Sequence, residues 1–227
     1  MLRDAIVSTA SRNFVNHVVE TLTPLADAER AAPMAAYMKH HFTYLGIATP
    51  QRREADKPLI RAYDGDLLTA ASALWKLDAR EYQYTACDLI RHHARKLQPD
   101  DLPKLEKLVQ SKSWWDSVDA LVPSIGSLVL REAQLSARMD ELIDAENFWL
   151  QRVAILHQLA WKDKTDQDRL FRYCLHLASE KEFFIRKAIG WALRQHARVA
   201  PDAVRAFLHK HHDRLSPLSV REAGKHL

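Results

Sequence analysis

Residues 112–119 read KSWWDSVD. Two tryptophans stand side by side, and two carboxylates follow, three residues apart. In a helix opening near residue 114, Trp115 and Asp119 are i and i+4 and share a face, as do Trp114 and Val118 on another. Trp114 is therefore expected in the core, and Trp115 is expected to look outward with Asp119. Asp116 falls in the first turn, where a carboxylate stabilises the helix dipole. Asp119 lies beyond that turn, so the dipole accounts for it less well. Two uses remain for it. It can pair with an arginine of a neighbouring helix, or it can offer its negative charge to something outside the fold.

Two other stretches carry comparable residues. In GWALR (190–194), Trp191 and Arg194 are three apart and share a face, with Lys187 one turn earlier. In FWLQR (148–152), Arg152 is placed to face the same way, and an intrahelical pair with a nearby carboxylate is its alternative. Phe183 and Phe184 open the helix that carries Trp191 and are expected to be packing residues.

Other chemistries lack their residues. There is no Walker loop, no GxGxxG and no GxSxG. Histidines pair at 40–41, 92–93 and 211–212, but adjacent histidines diverge on a helix and no Cys or carboxylate joins them at ligand spacing. No metal site is expected. Cys87 and Cys174 are far apart and form no CxxC, which points to a reducing compartment rather than a disulfide frame. No stretch approaches about 18 consecutive apolar residues, and the N-terminus lacks a signal-peptide core, so a cytoplasmic protein is expected. The net charge of +4 is compatible with a nucleic-acid partner without establishing one.

The elements that must position these residues are helices. With 47% hydrophobic residues the chain can bury a core, Gly is scarce at five, and apolar residues recur at helical rather than alternating spacing. The pattern predicts helices over 2–21, 25–40, 50–62, 65–77, 79–96, 101–110, 114–132, 135–145, 147–162, 165–180, 182–198, 201–212 and 216–226. Thr49 and Pro50 read as an N-cap and N1 pair, Pro201 as a helix start, and Ser216 with Pro217 likewise. The long irregular piece is HFTYLGIATP (41–50), where Gly46 permits a tight turn.

A repeat runs through these helices. Ala86, Ala120, Ala154 and Ala188 are spaced by 34, and Cys87, Leu121, Ile155 and Ile189 follow them. Two helices in such a period, with a small residue at fixed phase, are the signature of an α-solenoid of HEAT-like repeats. The expected fold is all-α, a single HEAT-like repeat domain over 1–227, a superhelix with a concave basic groove. The inner helices would be 79–96, 114–132, 147–162 and 182–198. They bring Arg91, Lys112, Arg152, Arg186, Lys187, Arg194 and Arg198 together with Trp115, Trp149 and Trp191. Cations with exposed aromatics suit a nucleic-acid backbone and sugar. A solvated cationic face over buried tryptophans is the alternative.

The stretches PMAAYMKHHFTYLGIATPQRR (33–53), KSWWDSVDALVP (112–123), NFWLQRVAIL (147–156), KEFFIRKAIGWALRQHA (181–197) and LSPLSVREAGKHL (215–227) closely resemble the AlkD family of alkylpurine DNA glycosylases. The likeness runs from about residue 25 to the C-terminus. It implies a superhelix of HEAT-like repeats that excises N3- and N7-alkylated purines from DNA. By motif match the catalytic constellation falls on Trp115, Trp191 and Asp119. The groove arginine falls on Arg152, a backbone-contacting position on Arg194, and an aromatic near the lesion on Tyr37. Lys187, Lys112, Thr49 and Arg53 complete the expected DNA-binding set. Ala48 departs from the pattern, since a relative carries Gln there.

The resemblance implies a mechanism with no cofactor. Alkylation gives the purine a positive charge and makes it a good leaving group, so the enzyme needs only to stabilise charge on the deoxyribose. Asp119 would do this and position water, Trp115 and Trp191 would set π faces against the sugar, and Arg152 and Arg194 would hold phosphates. No lysine is placed for a Schiff base, so a monofunctional, monomeric enzyme acting on duplex DNA is expected. Two other uses of the fold compete: a non-catalytic module that binds distorted DNA, and a protein-interaction scaffold.

Overall fold

The computed structural model describes residues 9–227. Among them the regular structure is thirteen α-helices and short 3-10 turns, with one isolated parallel bridge between Thr43 and Ala79. The expected all-α fold of helical repeats is the one the chain adopts. No helix among the described residues is long and apolar enough to cross a membrane. The chain forms two compact units, one running to Lys96 and one from Leu97 to Leu227.

The first unit holds α1 (Thr9–Leu22), α2 (Ala28–Tyr37), α3 (Thr49–Ala62), α4 (Leu67–Lys76) and α5 (Arg80–His92). Residues 2–8 of the first expected helix lie outside the described residues. Helix α1 buries Phe14, Val18 and Leu22 at i, i+4 and i+8 against α3 and α4, and α5 packs on both of those. Asp27 and Asp66 cap α2 and α4, accepting from the backbone amides of Arg30 and Thr69. Helix α3 corrects one expectation. Its N-cap is Ala48, so Thr49 is the first helical residue and Pro50 the second, and no side chain caps the end. Between α2 and α3, Gly46 takes a φ of 87°, and a Cβ there would lie 2.0 Å from the Asp27 carbonyl oxygen. The backbone amides of Leu45, Gly46 and Ile47 all donate to the carboxylate of Glu81, fully buried on α5.

The second unit holds α6 (Leu102–Val109), α7 (Trp115–Arg131), α8 (Ser136–Leu142), α9 (Phe148–Leu156), α10 (Gln167–His176), α11 (Phe183–His196), α12 (Pro201–Lys210) and α13 (Pro217–Ala223). The odd-numbered helices α7, α9, α11 and α13 pack in succession, and α6, α8, α10 and α12 pair with them. Successive helix pairs stacked in this way are the repeat unit read from the 34-residue spacing. Of the four phased alanines, Ala86, Ala154 and Ala188 are fully buried and Ala120 is half-buried. Their followers Cys87, Leu121, Ile155 and Ile189 are all buried. Side-chain caps recur here too, from Asn147, Asp166, Glu182 and Ser216. Helix α9 stops at Leu156, earlier than the expected 162; residues 157–160 form turns, with the Leu159 amide donating to the Leu156 carbonyl and the Trp161 amide to the Gln158 carbonyl.

Candidate functional site: a clamped carboxylate across three stacked helices

Helix α7 begins abruptly. Lys112, half-buried, adopts a φ of 48°, which turns the chain out of α6, and Trp114 takes extended backbone as the N-cap. The Trp114 carbonyl accepts from the Val118 amide at 3.0 Å and from the Ser117 hydroxyl at 3.3 Å. Both tryptophans are half-buried, so Trp114 is not the fully buried core residue expected. Trp114 packs its ring 5.1 Å from Phe184 and 6.0 Å from Trp149. Trp115, the first residue of α7, stays half-buried, as does Asp119 one turn later. Trp149 is corrected: at 6% exposure it is sealed in the aromatic cluster with Trp114, Phe148 and Phe184 and offers no open face. Phe183, expected in the packing, is 54% exposed and touches Phe184 edge-on.

Asp119 has a specific partner. Arg152 of α9 donates from Nε to Oδ1 and from Nη2 to Oδ2, both at 2.8 Å. Its Nη1 donates to the Phe184 carbonyl of α11 at 2.5 Å. One guanidinium thus ties together α7, α9 and α11, which are successive helices of the stack. The role expected of Arg152, a phosphate contact, is corrected by this geometry. Its side chain is 5% exposed, and the planar fork faces a carboxylate and a carbonyl instead of solvent. The Asp119 side chain is 17% exposed, so the pair is open on the carboxylate side.

Helix α11 carries Lys187, Trp191 and Arg194 at i, i+4 and i+7, one face of the helix. Trp191 is half-buried. Lys187 and Arg194 both reach Glu222 on α13, at 3.1 and 2.9 Å, and Lys225 reaches it at 2.8 Å. Gly190 makes this possible. A Cβ at 190 would lie 2.5 Å from the Glu222 Cβ and 2.9 Å from the Ser219 carbonyl oxygen, so only glycine lets α13 lie this close. The hydrogen bonds from Lys225 and Lys187 hold the Glu222 carboxyl at about 2, well below its ordinary value, against the opposing pull of burial. Sequence reading missed Glu222. Its local signal is only a glutamate three residues before a lysine, and its two further cations come from another helix.

The remaining expected residues lie in the first unit. Tyr37 ends α2 and is 71% exposed. Thr49 is exposed at the start of α3. Arg53 is half in solvent and donates from Nε to Asp88 at 3.2 Å. Beneath it, Arg52 is buried between Asp56 and Asp88, a network sequence reading also missed. Asp88 is shared by Arg52, Arg53 and Arg91, and those charges, led by Arg52, hold its carboxyl below the ordinary value despite burial. Cys87 and Cys174 are buried free thiols, and burial pushes the Cys174 thiol up. Among the described residues no cluster of three His, Cys, Asp or Glu side chains could hold a metal.

A predicted DNA alkylation repair enzyme from Enterococcus faecalis superposes with a TM-score of 0.83 at 37% identity, over 89% of this chain and 96% of that one. A protein from Streptococcus mutans UA159, smu.31, shares the fold at a TM-score of 0.61 and 15% identity, over 94% of this chain and 99% of that one. Among curated proteins no match was found. The family model for DNA alkylation repair enzymes matches residues 18–227, a span that takes in both units and every site residue named above. On that match the chain belongs to the DNA alkylation repair enzyme family.

Proposed function

We propose that this repair enzyme is an alkylpurine DNA glycosylase. It hydrolyses the N-glycosidic bond of cationic N3- and N7-alkylated purines in duplex DNA and leaves an abasic site. The observation that carries the reading is Asp119, a carboxylate fixed by two hydrogen bonds yet 17% exposed, one turn from the half-buried Trp115.

The chemistry follows from the lesion. Alkylation at N3 or N7 leaves the purine positively charged, so it departs without a general acid. As the bond from C1′ to the base nitrogen breaks, its electron pair neutralises the base and positive charge grows on the deoxyribose. The negative charge of Asp119 stabilises that growth. Each Asp119 oxygen accepts one bond from Arg152 and keeps a lone pair, enough to orient a water and take its proton as the oxygen joins C1′. Trp115 and Trp191 contribute cation–π stabilisation of roughly 0.5–2 kcal/mol each. Arg152 is a positioning residue here, and Lys187, Arg194 and Lys112 serve the phosphates, which the carboxylate would otherwise repel. The enzyme acts as a monomer, as a single repeat domain, in the cytoplasm.

The test is release of 7-methylguanine and 3-methyladenine from methylated duplex by wild type and Asp119→Asn. Wild type excises both, and the variant loses about 100-fold or more of the rate while still binding DNA. Wild-type binding without excision would instead make the protein a DNA-binding module. Release of uracil at rates comparable to 7-methylguanine would overturn selection by the charge of the lesion.

A further inference from the structure

Helix α13 lies against the helix that carries Trp191, and much of that contact is charge. The Ser219 hydroxyl donates to the Arg186 carbonyl at 2.9 Å, and Ala223 is fully buried, so α13 is attached without any ion pair. Glu222 adds something else. Its side chain is 7% exposed and takes Lys187 at 3.1 Å and Arg194 at 2.9 Å, two residues a full two turns apart on α11. Lys225, in the turn after α13, closes on it at 2.8 Å. With its carboxyl held at about 2, chiefly by the Lys225 hydrogen bond and then by that of Lys187, Glu222 stays charged throughout the working pH range.

Trp191 stands between the two gripped cations. Lys187 and Trp191 are i and i+4, and Trp191 and Arg194 are i and i+3, the spacings at which helical side chains meet. At 100° per residue, Gly190 and Arg194 fall to one side of Lys187 and Trp191 about 40° to the other. The indole thus lies beside the α13 contact and not beneath it, and it is half-buried. An unheld ammonium or guanidinium at 187 or 194 would be drawn to the electron-rich face of that indole, within about 6 Å of its centre. This is the same attraction that the glycosylase reading gives to the charged deoxyribose, and one face cannot serve both. Glu222 draws both end groups away. An ammonium has three N–H donors and a guanidinium five, so the hold leaves each able to meet a phosphate as well.

We propose that Glu222 is a positioning residue for base release: it keeps Lys187 and Arg194 off the indole of Trp191 and reserves that face for the sugar. The inference rests on the glycosylase reading and adds to it a residue on a different helix from Trp115, Asp119 and Trp191.

The experiment compares wild type, Glu222→Gln, Glu222→Asp, Trp191→Ala and the Trp191→Ala/Glu222→Gln double variant. It reads single-turnover release of 7-methylguanine at saturating enzyme, and affinity for undamaged duplex. Glutamine is close to glutamate in size and the Ser219 bond is untouched, and thermal melting checks that each variant is folded. Glu222→Gln is expected to slow release about 2- to 30-fold, the range of one cation–π contact, with no loss of affinity. Glu222→Asp, which keeps the charge on a shorter stem, should fall between it and wild type. In the Trp191→Ala background the glutamine change should slow release no further. An unchanged rate in folded Glu222→Gln overturns the proposal and leaves its cations to phosphates alone. An equal fall with and without Trp191 also overturns it and makes Glu222 a scaffold residue. A rate for Glu222→Asp below that of Glu222→Gln would do the same, since charge would then not matter. If wild type releases no alkylpurine, the glycosylase reading fails and this inference with it, an outcome distinct from the other three.

Discussion

Arg152 grips Asp119 by both carboxylate oxygens at 2.8 Å, and the two residues come from successive helices of the stack. The guanidinium is buried and the carboxylate is open, so the pair is asymmetric. Loss of the buried partner's bonds costs more than an exposed ion pair would, because the desolvated cation then lacks its counter-charge.

Arg152→Lys keeps the charge and removes the fork. A single ammonium cannot meet Oδ1, Oδ2 and the Phe184 carbonyl at once. Stability is expected to fall by about 1–3 kcal/mol in urea titration, and base release to fall beyond what any loss of folded protein explains. Wild-type rates in a folded Arg152→Lys enzyme would remove Arg152 as the residue that aims the carboxylate.

Trp191→Ala tests the aromatic contribution. Trp191 is half-buried, so truncation should cost less stability than the same change at the sealed Trp149. Single-turnover excision at saturating enzyme is expected to slow roughly 2- to 30-fold, the range of one cation–π contact. A slower rate with unchanged DNA affinity places the effect in the chemical step.

Glu222 links acid stability to the face that bears Trp191. Its folded pKa of about 2 lies below the unfolded glutamate value, so its contribution is complete above about 4.5 and is lost as pH falls toward about 2. Glu222→Gln should lower Tm at neutral pH and flatten its decline over that acid window. Since the variant also frees Lys187 and Arg194, DNA affinity measured at pH 7 should shift with it.

His157 sets a second window at milder pH. It is 1% exposed, its Nδ1 hydrogen-bonds the Ala154 carbonyl at 2.6 Å, and burial lowers its pKa to about 4. The unfolded chain takes a proton near 6.5 while the folded one does not, so stability declines as pH falls from about 6.5 to 4. At pH 5 the loss should be about 2 kcal/mol relative to neutral pH. His157→Gln should remove that slope; denaturant titrations at pH 7 and 5 check it.

Local chemistry made much of the fold legible. The phased alanines at 86, 154 and 188 are buried as the repeat demands, and the apolar spacing located the helices of the stack, although α9 ends at Leu156 and not at the expected 162. Trp114 and Trp115 did not part as helical spacing suggests: both are half-buried, and Trp114 is the extended N-cap, outside the helix. Partner choice did not follow. Arg152 and Asp119 are 33 positions apart, and nothing near either residue says that they meet. Trp149 reads like Trp115 in sequence, yet it is closed off by Phe148, Phe184 and Trp114, which come from three different helix starts. Glu222 depends on the absent side chain at Gly190, a relation that only packing reveals. Thr49 looked like a cap because a threonine precedes a proline; the helix began one residue earlier because Ala48 already has extended geometry.

The loop before α3 spends its own main chain on Glu81. Three consecutive amides converge on one carboxylate, the concavity by which many proteins cradle phosphate. Here that cradle is plugged from within, so an incoming polyanion finds no main-chain socket at this turn.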